Sequence, residues 1–433
     1  MLICTNLSVS AEGHLLFAGQ DAAALLKEYG SPLYLFDENR LRENCQTYYN
    51  AMKEAFGEKA LPLYASKAAS FKEIYRIVGS EGLGIDVVSS GEIYTAKAAG
   101  FPLEKAYFHS NNKTDEDIAF AMENGIGYFV VDNEEELFAI DRIAAEQGIC
   151  QKVLLRLTPG IDTHTYEAIN TGKVDSKFGS AIETGQADAI TKTALDLQHL
   201  KLMGFHCHVG SQVFDSDTFF RAADIMLAFI AEMAKKYHYT AEELDLGGGY
   251  GVRYLESDPQ IDIAANIHQV AACVKAKCAA LGLPLPSIRL EPGRSIVADA
   301  GMTLYTVGTI KQIPGYKNYV SVDGGMTDNP RFALYGASYT VVAAEKMNEE
   351  KNFTCSVVGR CCESGDILQE QVNLPASIQR GDILAVLTTG AYNFSMASNY
   401  NRIPRLPVVM LKDGTHRLVV KRETLDDIIQ NDI

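Results

Sequence analysis

The sequence predicts an α/β protein, a TIM-type (β/α) barrel followed by a mainly antiparallel β-sheet domain. Three observations point there. Between Leu61 and Arg294, eight short apolar runs recur, separated by roughly 15 to 40 residues of helix-like sequence, as a buried parallel sheet with crossover helices requires. A chemically capable side chain closes or follows each run, and the C-terminal strand ends are where barrel enzymes build their active sites. From about residue 300 onward the texture changes to alternating and β-branched runs broken by glycine and proline.

The elements follow in order. Residues 1–36, including Pro32-Leu-Tyr-Leu-Phe36, precede the first barrel strand and are expected to pack with the sheet domain. The barrel is expected over residues 37–298. In it Lys67 follows LPLYAS, Asp86 follows LGI, His109 follows AYF and Asp132 follows YFVV. Arg156 closes KVLL, His206 and His208 close KLMGF, Gly247-Gly248-Gly249 follow ELDL, and Glu291 follows SIRL. Asp115-Glu116-Asp117 opens one connecting helix and Asn133-Glu134-Glu135-Glu136 another, because acidic groups favour a helix N-terminus. Residues 299–433 complete the sheet domain through TLYTVGTI, NYVSV, YTVVAA, FTCSVV, DILAVL and PVVML, then an Asp413-Gly414 turn before RLVV.

Length and composition agree. A chain of 433 residues exceeds one barrel and calls for a second domain. No apolar run is long enough to span a bilayer, and the start MLICTNLSVS lacks a signal peptide's basic region and apolar stretch, so a cytoplasmic protein is expected. Nine cysteines without framework spacing read as reduced thiols, and no CxxC pair suggests a metal. A net charge of -16 speaks against nucleic acid and anionic membrane as partners.

Each mouth residue alone has an ordinary structural reading: a solvated lysine, a core histidine, a tight glycine turn, a capping glutamate. Their joint placement after nearly every strand is what a random scatter would not produce. A glycine triplet opening a helix offers N–H groups and a dipole end to a phosphate, and Arg294 lies on the next strand. A lysine can bond an aldehyde, and a carboxylate can keep a ring nitrogen protonated. Together they describe pyridoxal 5'-phosphate, with Lys67 as its covalent anchor, Glu291 as the ring-nitrogen partner and His208 stacked on its face. A lysine-dependent aldolase has no use for the ring-nitrogen carboxylate.

The ordered motifs then carry a resemblance. Tyr64-Ala-Ser-Lys67-Ala, His206-Cys-His208-Val-Gly-Ser211-Gln, Gly247-Gly-Gly249, Glu291-Pro-Gly-Arg294, Asp328-Asn-Pro-Arg331-Phe-Ala-Leu-Tyr335, Cys362-Glu363-Ser-Gly-Asp366 and Gly390-Ala-Tyr392 span nearly the whole chain. The set resembles the diaminopimelate decarboxylases, barrel-type pyridoxal-phosphate decarboxylases with ornithine decarboxylase as a cousin. The resemblance implies conversion of meso-2,6-diaminopimelate to L-lysine and carbon dioxide by a homodimer with shared active sites. It implies cofactor contacts at Lys67, Asp86, His109, Arg156, His208, Ser211, Gly247, Gly248, Gly249, Glu291, Gly293, Arg294 and Tyr392. Substrate contacts are implied at Arg294, Arg331, Tyr335, Glu363 and Tyr392, and Cys362 corresponds to the catalytic thiol. Phe332 stands where the family commonly has proline, and Arg360-Cys361 precede Cys362 where less polar pairs are usual. The rival substrates are D-ornithine and D-lysine, which lack the distal carboxylate that Arg294 and Arg331 could hold. Alanine racemase resembles the same architecture but places arginine at the ring nitrogen, where this chain has Glu291. A catalytically silent homologue would not need Lys67, Cys362 and Arg294 intact.

Overall fold

The structure is a computed structural model that describes residues 2–161 and 176–433. The chain forms two compact units, one of residues 44–251 and 260–293, the other of residues 1–43, 252–259 and 294–433. Among the described residues no helix is long and apolar enough to cross a membrane.

The first unit is the barrel. Its parallel strands run Leu61–Ala65, Gly84–Val87, Ala106–Phe108, Tyr128–Val131, Gln151–Thr158, Leu200–His206, Glu243–Asp245 and Ser287–Leu290. Each pairs with its sequence neighbour, and the last closes on the first with Leu290 opposite Pro62. A two-residue strand, Ser180–Ala181, lies outside this circuit beside Gln151–Thr158. The strands are almost continuously buried, as they must be with the barrel interior on one face and the helical layer on the other. Helix starts are fixed locally. Thr114 accepts from the Asp117 N–H in a capping box ahead of Asp115–Glu123, and Asn133 caps Glu134–Gln147.

Within the barrel strands Leu63, Tyr107, Val130, Leu154 and Met203 form a buried cluster, with Tyr107 stacked on Tyr128 at 4.2 Å between ring centroids. Glu243 accepts from both hydroxyls at 2.9 and 3.0 Å and pairs with Arg289 at 3.0 Å. Truncation by Glu243→Ala leaves a buried guanidinium and two phenols without their acceptor. It should cost about 3–5 kcal/mol in urea unfolding, the scale of breaking one side of a buried ion pair. A loss below about 1 kcal/mol would mean that water replaces the carboxylate.

The second unit is a mixed, mainly antiparallel sheet. Its main path runs Ile367–Leu374, Phe353–Val358, Lys317–Val322, Gly301–Ile313, Leu33–Asp37, Val408–Lys412 and Thr415–Val420. Ile383–Val386 pairs with both Gly301–Ile313 and Val341–Ala343. Two pairings are parallel, Leu33–Asp37 with Val408–Lys412 and Lys317–Val322 with Phe353–Val358. The strand alternation divides residues between two cores. Ala385 and Leu387 enter one with Leu33, Leu35, Met302 and Leu304, while Leu384 and Val386 enter the other with Tyr305, Val320 and Val357. A small sheet of Leu7–Val9, Leu15–Phe17 and Gln20–Asp21 precedes the helix Ala22–Tyr29, which Asp21 caps by accepting from the Ala23 and Ala24 N–H groups. The sequence alone does not show this sheet, and it also hides the strand Ile367–Leu374.

Candidate active site

In the barrel unit, polar side chains gather just beyond the C-terminal strand ends. Lys67 sits in a one-turn helix, Ser66–Ala68, immediately after Leu61–Ala65, and it is exposed between two buried neighbours. Its charge acts on Asp86, Glu92, His206 and His208, so these groups surround one electrostatic locus. Asp86 lies one residue before the end of its strand, buried, with Oδ1 lacking a hydrogen-bond partner. Burial pushes its carboxyl up to about 6, against the pull of His109 and Lys67.

Glu291 is the centre of the cluster. Its Oε2 lies 3.2 Å from His206 Nε2 in a hydrogen bond, and its Oε1 lies 2.8 Å from His109 Nε2 at an angle that makes none. Burial alone would raise Glu291, but the two imidazoles hold it well below the usual carboxylate range. Burial lowers both histidines, against the pull of the Glu291 charge. Next to them, burial and the Glu291 charge push Asp245 well above its ordinary value, while its Oδ1 accepts from the Gly247 N–H at 2.8 Å. The cluster thus pushes two neighbouring carboxyls in opposite directions, Glu291 down and Asp245 up.

The glycine triplet forms a cradle of bare backbone. Gly247 and Gly249 occupy positive φ, 70° and 129°, and a Cβ on Gly248 would meet the Glu291 carbonyl oxygen at 2.1 Å. The triplet does not open a helix, however. Residues 251–262 form no helix or strand, and the next helix begins at Ile263, so any phosphate there meets loop N–H groups without a helix dipole. The Gly248 N–H also donates to His208 Nδ1 at 3.3 Å, which fixes the imidazole orientation. Burial and the charges of Lys67 and Arg156 push His208 well below its usual range. Arg156 packs its guanidinium 4.3 Å from the Phe178 ring centroid and approaches Asp132 at 4.0 Å. Gly293 has no room for a side chain, since its Cβ would lie 2.9 Å from that of Ala65.

These groups fit pyridoxal phosphate: an amine, an ionised carboxylate with an unpartnered oxygen, a neutral imidazole and a side-chain-free cradle. His206 and Asp245 join the cluster although the sequence reading assigns them no role. His206 is two residues before His208 in the same motif, but strand alternation could equally have sent it outward.

The sheet unit carries a separate cationic group. Arg294 is buried and donates from Nη1 to the Tyr254 hydroxyl at 2.7 Å. Arg294 and Arg331 both approach the Tyr392 ring, their guanidinium carbons 4.8 and 4.9 Å from its centroid, and Arg331 also lies 5.3 Å from that of Tyr335. Arg331 is buried with Nε unpartnered, and it makes no salt bridge among the described residues. Tyr254 is a further member that the sequence did not reveal. Cys362 and Glu363 are exposed on a loop pinned by neighbours. Asp366 accepts from the Met326 and Cys361 N–H groups at 2.6 and 2.7 Å, and Asn401 accepts from the Cys362 N–H at 2.8 Å. Glu363 folds onto its own loop by accepting from Ser364 and Gly365 at 3.3 and 3.2 Å.

Comparison with known proteins gives a consistent answer. The profile of the pyridoxal-dependent decarboxylase family, pyridoxal binding domain, matches residues 42–298. Diaminopimelate decarboxylase of Bacillus subtilis is 46% identical over 421 residues, covering 97% of this chain and 95% of that protein. The Staphylococcus aureus enzyme of the same name is 44% identical over 420 residues, covering 97% and 98%. The crystal structure of diaminopimelate decarboxylase from M. jannaschii in complex with L-lysine superposes with a TM-score of 0.91 at 33% identity, covering 100% of this chain and 99% of that one. The chain belongs to the pyridoxal-dependent decarboxylases and, within them, to the diaminopimelate decarboxylases.

Proposed function

We propose that this pyridoxal-phosphate-dependent carboxy-lyase acts in the cytoplasm as a homodimer, releasing carbon dioxide from meso-2,6-diaminopimelate to leave L-lysine. The observation that carries the chemistry is the ionised Glu291 held by His206 and His109 near an exposed amine, Lys67. The free state of all nine cysteines fits a reducing compartment.

Pyridoxal phosphate, when bound, supplies a protonated ring that accepts the electron pair left by departing carbon dioxide. Lys67 would anchor it covalently, Glu291 would keep its nitrogen protonated and His208 would cover one face. Ser211 and the Gly249 N–H would receive its phosphate, Gly247 and Gly248 would keep the cradle free of side chains, and Asp86, His109, Arg156, Gly293, Arg294 and Tyr392 would be its further contacts. Cys362 delivers a proton to the carbon that lost its carboxylate. Arg294 and Arg331 receive carboxylate, with Tyr335 and Tyr392 beside them, and Glu363 receives the distal ammonium. Buried Arg331, lacking any carboxylate partner among the described residues, favours a substrate that brings its own.

Purified protein with added cofactor should release carbon dioxide and L-lysine in equal amounts from meso-diaminopimelate and leave D-lysine and D-ornithine untouched. Turnover of either D-diamino acid in preference would overturn the substrate assignment. Glu291→Gln should retain bound cofactor but lower kcat by roughly 100-fold or more, the scale of removing one preorganised electrostatic group. Unchanged kcat would remove Glu291 from the ring-nitrogen role.

Arg331→Ala should cost about 1.5–3 kcal/mol of substrate binding, or roughly 10- to 100-fold in kcat/KM. Inhibition by L-lysine, which retains the distal carboxylate, should weaken equally. Inhibition by cadaverine, which has none, should not change. Parallel weakening of both would show that Arg331 does not read that carboxylate.

A further inference from the structure

His109, His206 and Glu291 place one donor atom each within 4.8 Å of one another, and all three side chains are buried. Two contacts in this group differ in kind. His206 Nε2 hydrogen-bonds Glu291 Oε2 at 3.2 Å, whereas His109 Nε2 and Glu291 Oε1 are 2.8 Å apart yet neither has a hydrogen-bond partner. Two unsatisfied, deeply buried polar atoms in such close approach resemble ligand atoms converging on a shared point. We propose that the chain, when free of cofactor, binds one divalent transition-metal ion through His109, His206 and Glu291.

The donor set selects the ion. Two imidazoles and one carboxylate suit Zn²⁺, Co²⁺, Ni²⁺ or Cu²⁺ better than Ca²⁺ and Mg²⁺, which prefer all-oxygen sites. Metal bonds of about 2.0–2.1 Å in a tetrahedral arrangement separate ligand atoms by roughly 3.3 Å. Separate Glu291 oxygens lie 2.8 Å from His109 Nε2 and 3.2 Å from His206 Nε2, and the three donor atoms are all within 4.8 Å of one another, so side-chain shifts of roughly 1–2 Å reach that value. The Asp86 carboxyl, 3.9 Å from His109 Nε2, offers a compensating charge for a dication. A network that served only to orient Glu291 would be expected to give His109 a proper hydrogen bond to it. Metal and cofactor should exclude each other, a step that rests on Glu291 facing the cofactor ring nitrogen.

Holoenzyme stripped of its cofactor, with its fold verified by circular dichroism, would be titrated with Co²⁺. The expected result is one saturable equivalent per chain, with visible d–d bands and no near-ultraviolet thiolate band. His206→Gln and His109→Gln, each still folded, should weaken binding at least about 100-fold, beyond the 10- to 100-fold that loss of an outer-shell partner costs. A thiolate band, an affinity unchanged in both variants, or no saturable binding would overturn the site. If Co²⁺ binds the holoenzyme as tightly as the stripped protein, the exclusion is wrong and Glu291 does not face the ring nitrogen. If the stripped protein binds no metal while Glu291→Gln still slows turnover, the metal site falls and the cofactor role of Glu291 stands.

Discussion

Lys67→Ala should lower kcat by on the order of 10⁴-fold or more, the scale on which removal of a covalent catalytic side chain acts. The absorbance of covalently held cofactor should vanish with it. The fold should not suffer, because Lys67 is exposed and a surface truncation of this kind stays within about 0.5 kcal/mol. Cofactor is expected to stay bound through its phosphate, so the diagnostic pair is absorbance and kcat, measured on a variant whose melting temperature is unchanged. Residual turnover within about tenfold of the parent would remove Lys67 from the chemistry, since each tenfold is only about 1.4 kcal/mol of barrier.

Cys362→Ala should lose roughly 10²- to 10⁴-fold in kcat, as removal of a positioned acid does. Its combination with the first variant tests the proposed assembly. If Cys362 serves the cofactor of a partner subunit, a mixed dimer of Lys67→Ala and Cys362→Ala chains contains one site with both groups and one with neither. Random exchange makes half the dimers mixed, so activity should recover to about a quarter of the parent value in a two-fold symmetric dimer. Confirmed exchange without recovery would mean that the thiol works within its own chain or is not the acid.

The legibility of this fold in its sequence was uneven for physical reasons. The eight barrel strands are readable because both faces are buried, which produces unbroken apolar runs such as YFVV and SIRL with a polar residue where each emerges. Ile367–Leu374 is not readable in the same way. Only Leu368, Val372 and Leu374 are buried, while Gln369, Glu370 and Gln371 interrupt the pattern and Gln371 takes φ 55°. Leu7–Val9, Leu15–Phe17 and Gln20–Asp21 are too short to show a period of two at all. Single catalytic candidates such as Lys67 and Glu291 stand out by position after a strand. The partners that set their charge do not: Asp245 ends an inconspicuous three-residue strand, and Tyr254 lies in an irregular segment. The expectation of a helix after Gly249 failed because glycine triplets satisfy turns as readily as helix starts.

The sheet unit is assembled from both ends of the chain, and this sets a schedule for synthesis on the ribosome. The Leu33–Asp37 strand needs Gly301 and its neighbours on one side and Val408–Lys412 on the other. At about 5–20 residues per second, the ~265 residues between Phe36 and Gly301 take roughly 13–53 s to emerge. For that interval an apolar strand with two unpaired edges waits in the nascent chain, while every strand of the barrel becomes available in order beside its neighbour. The barrel can therefore close first. The burden of protecting the amino-terminal strand then falls on whatever shields the emerging polypeptide.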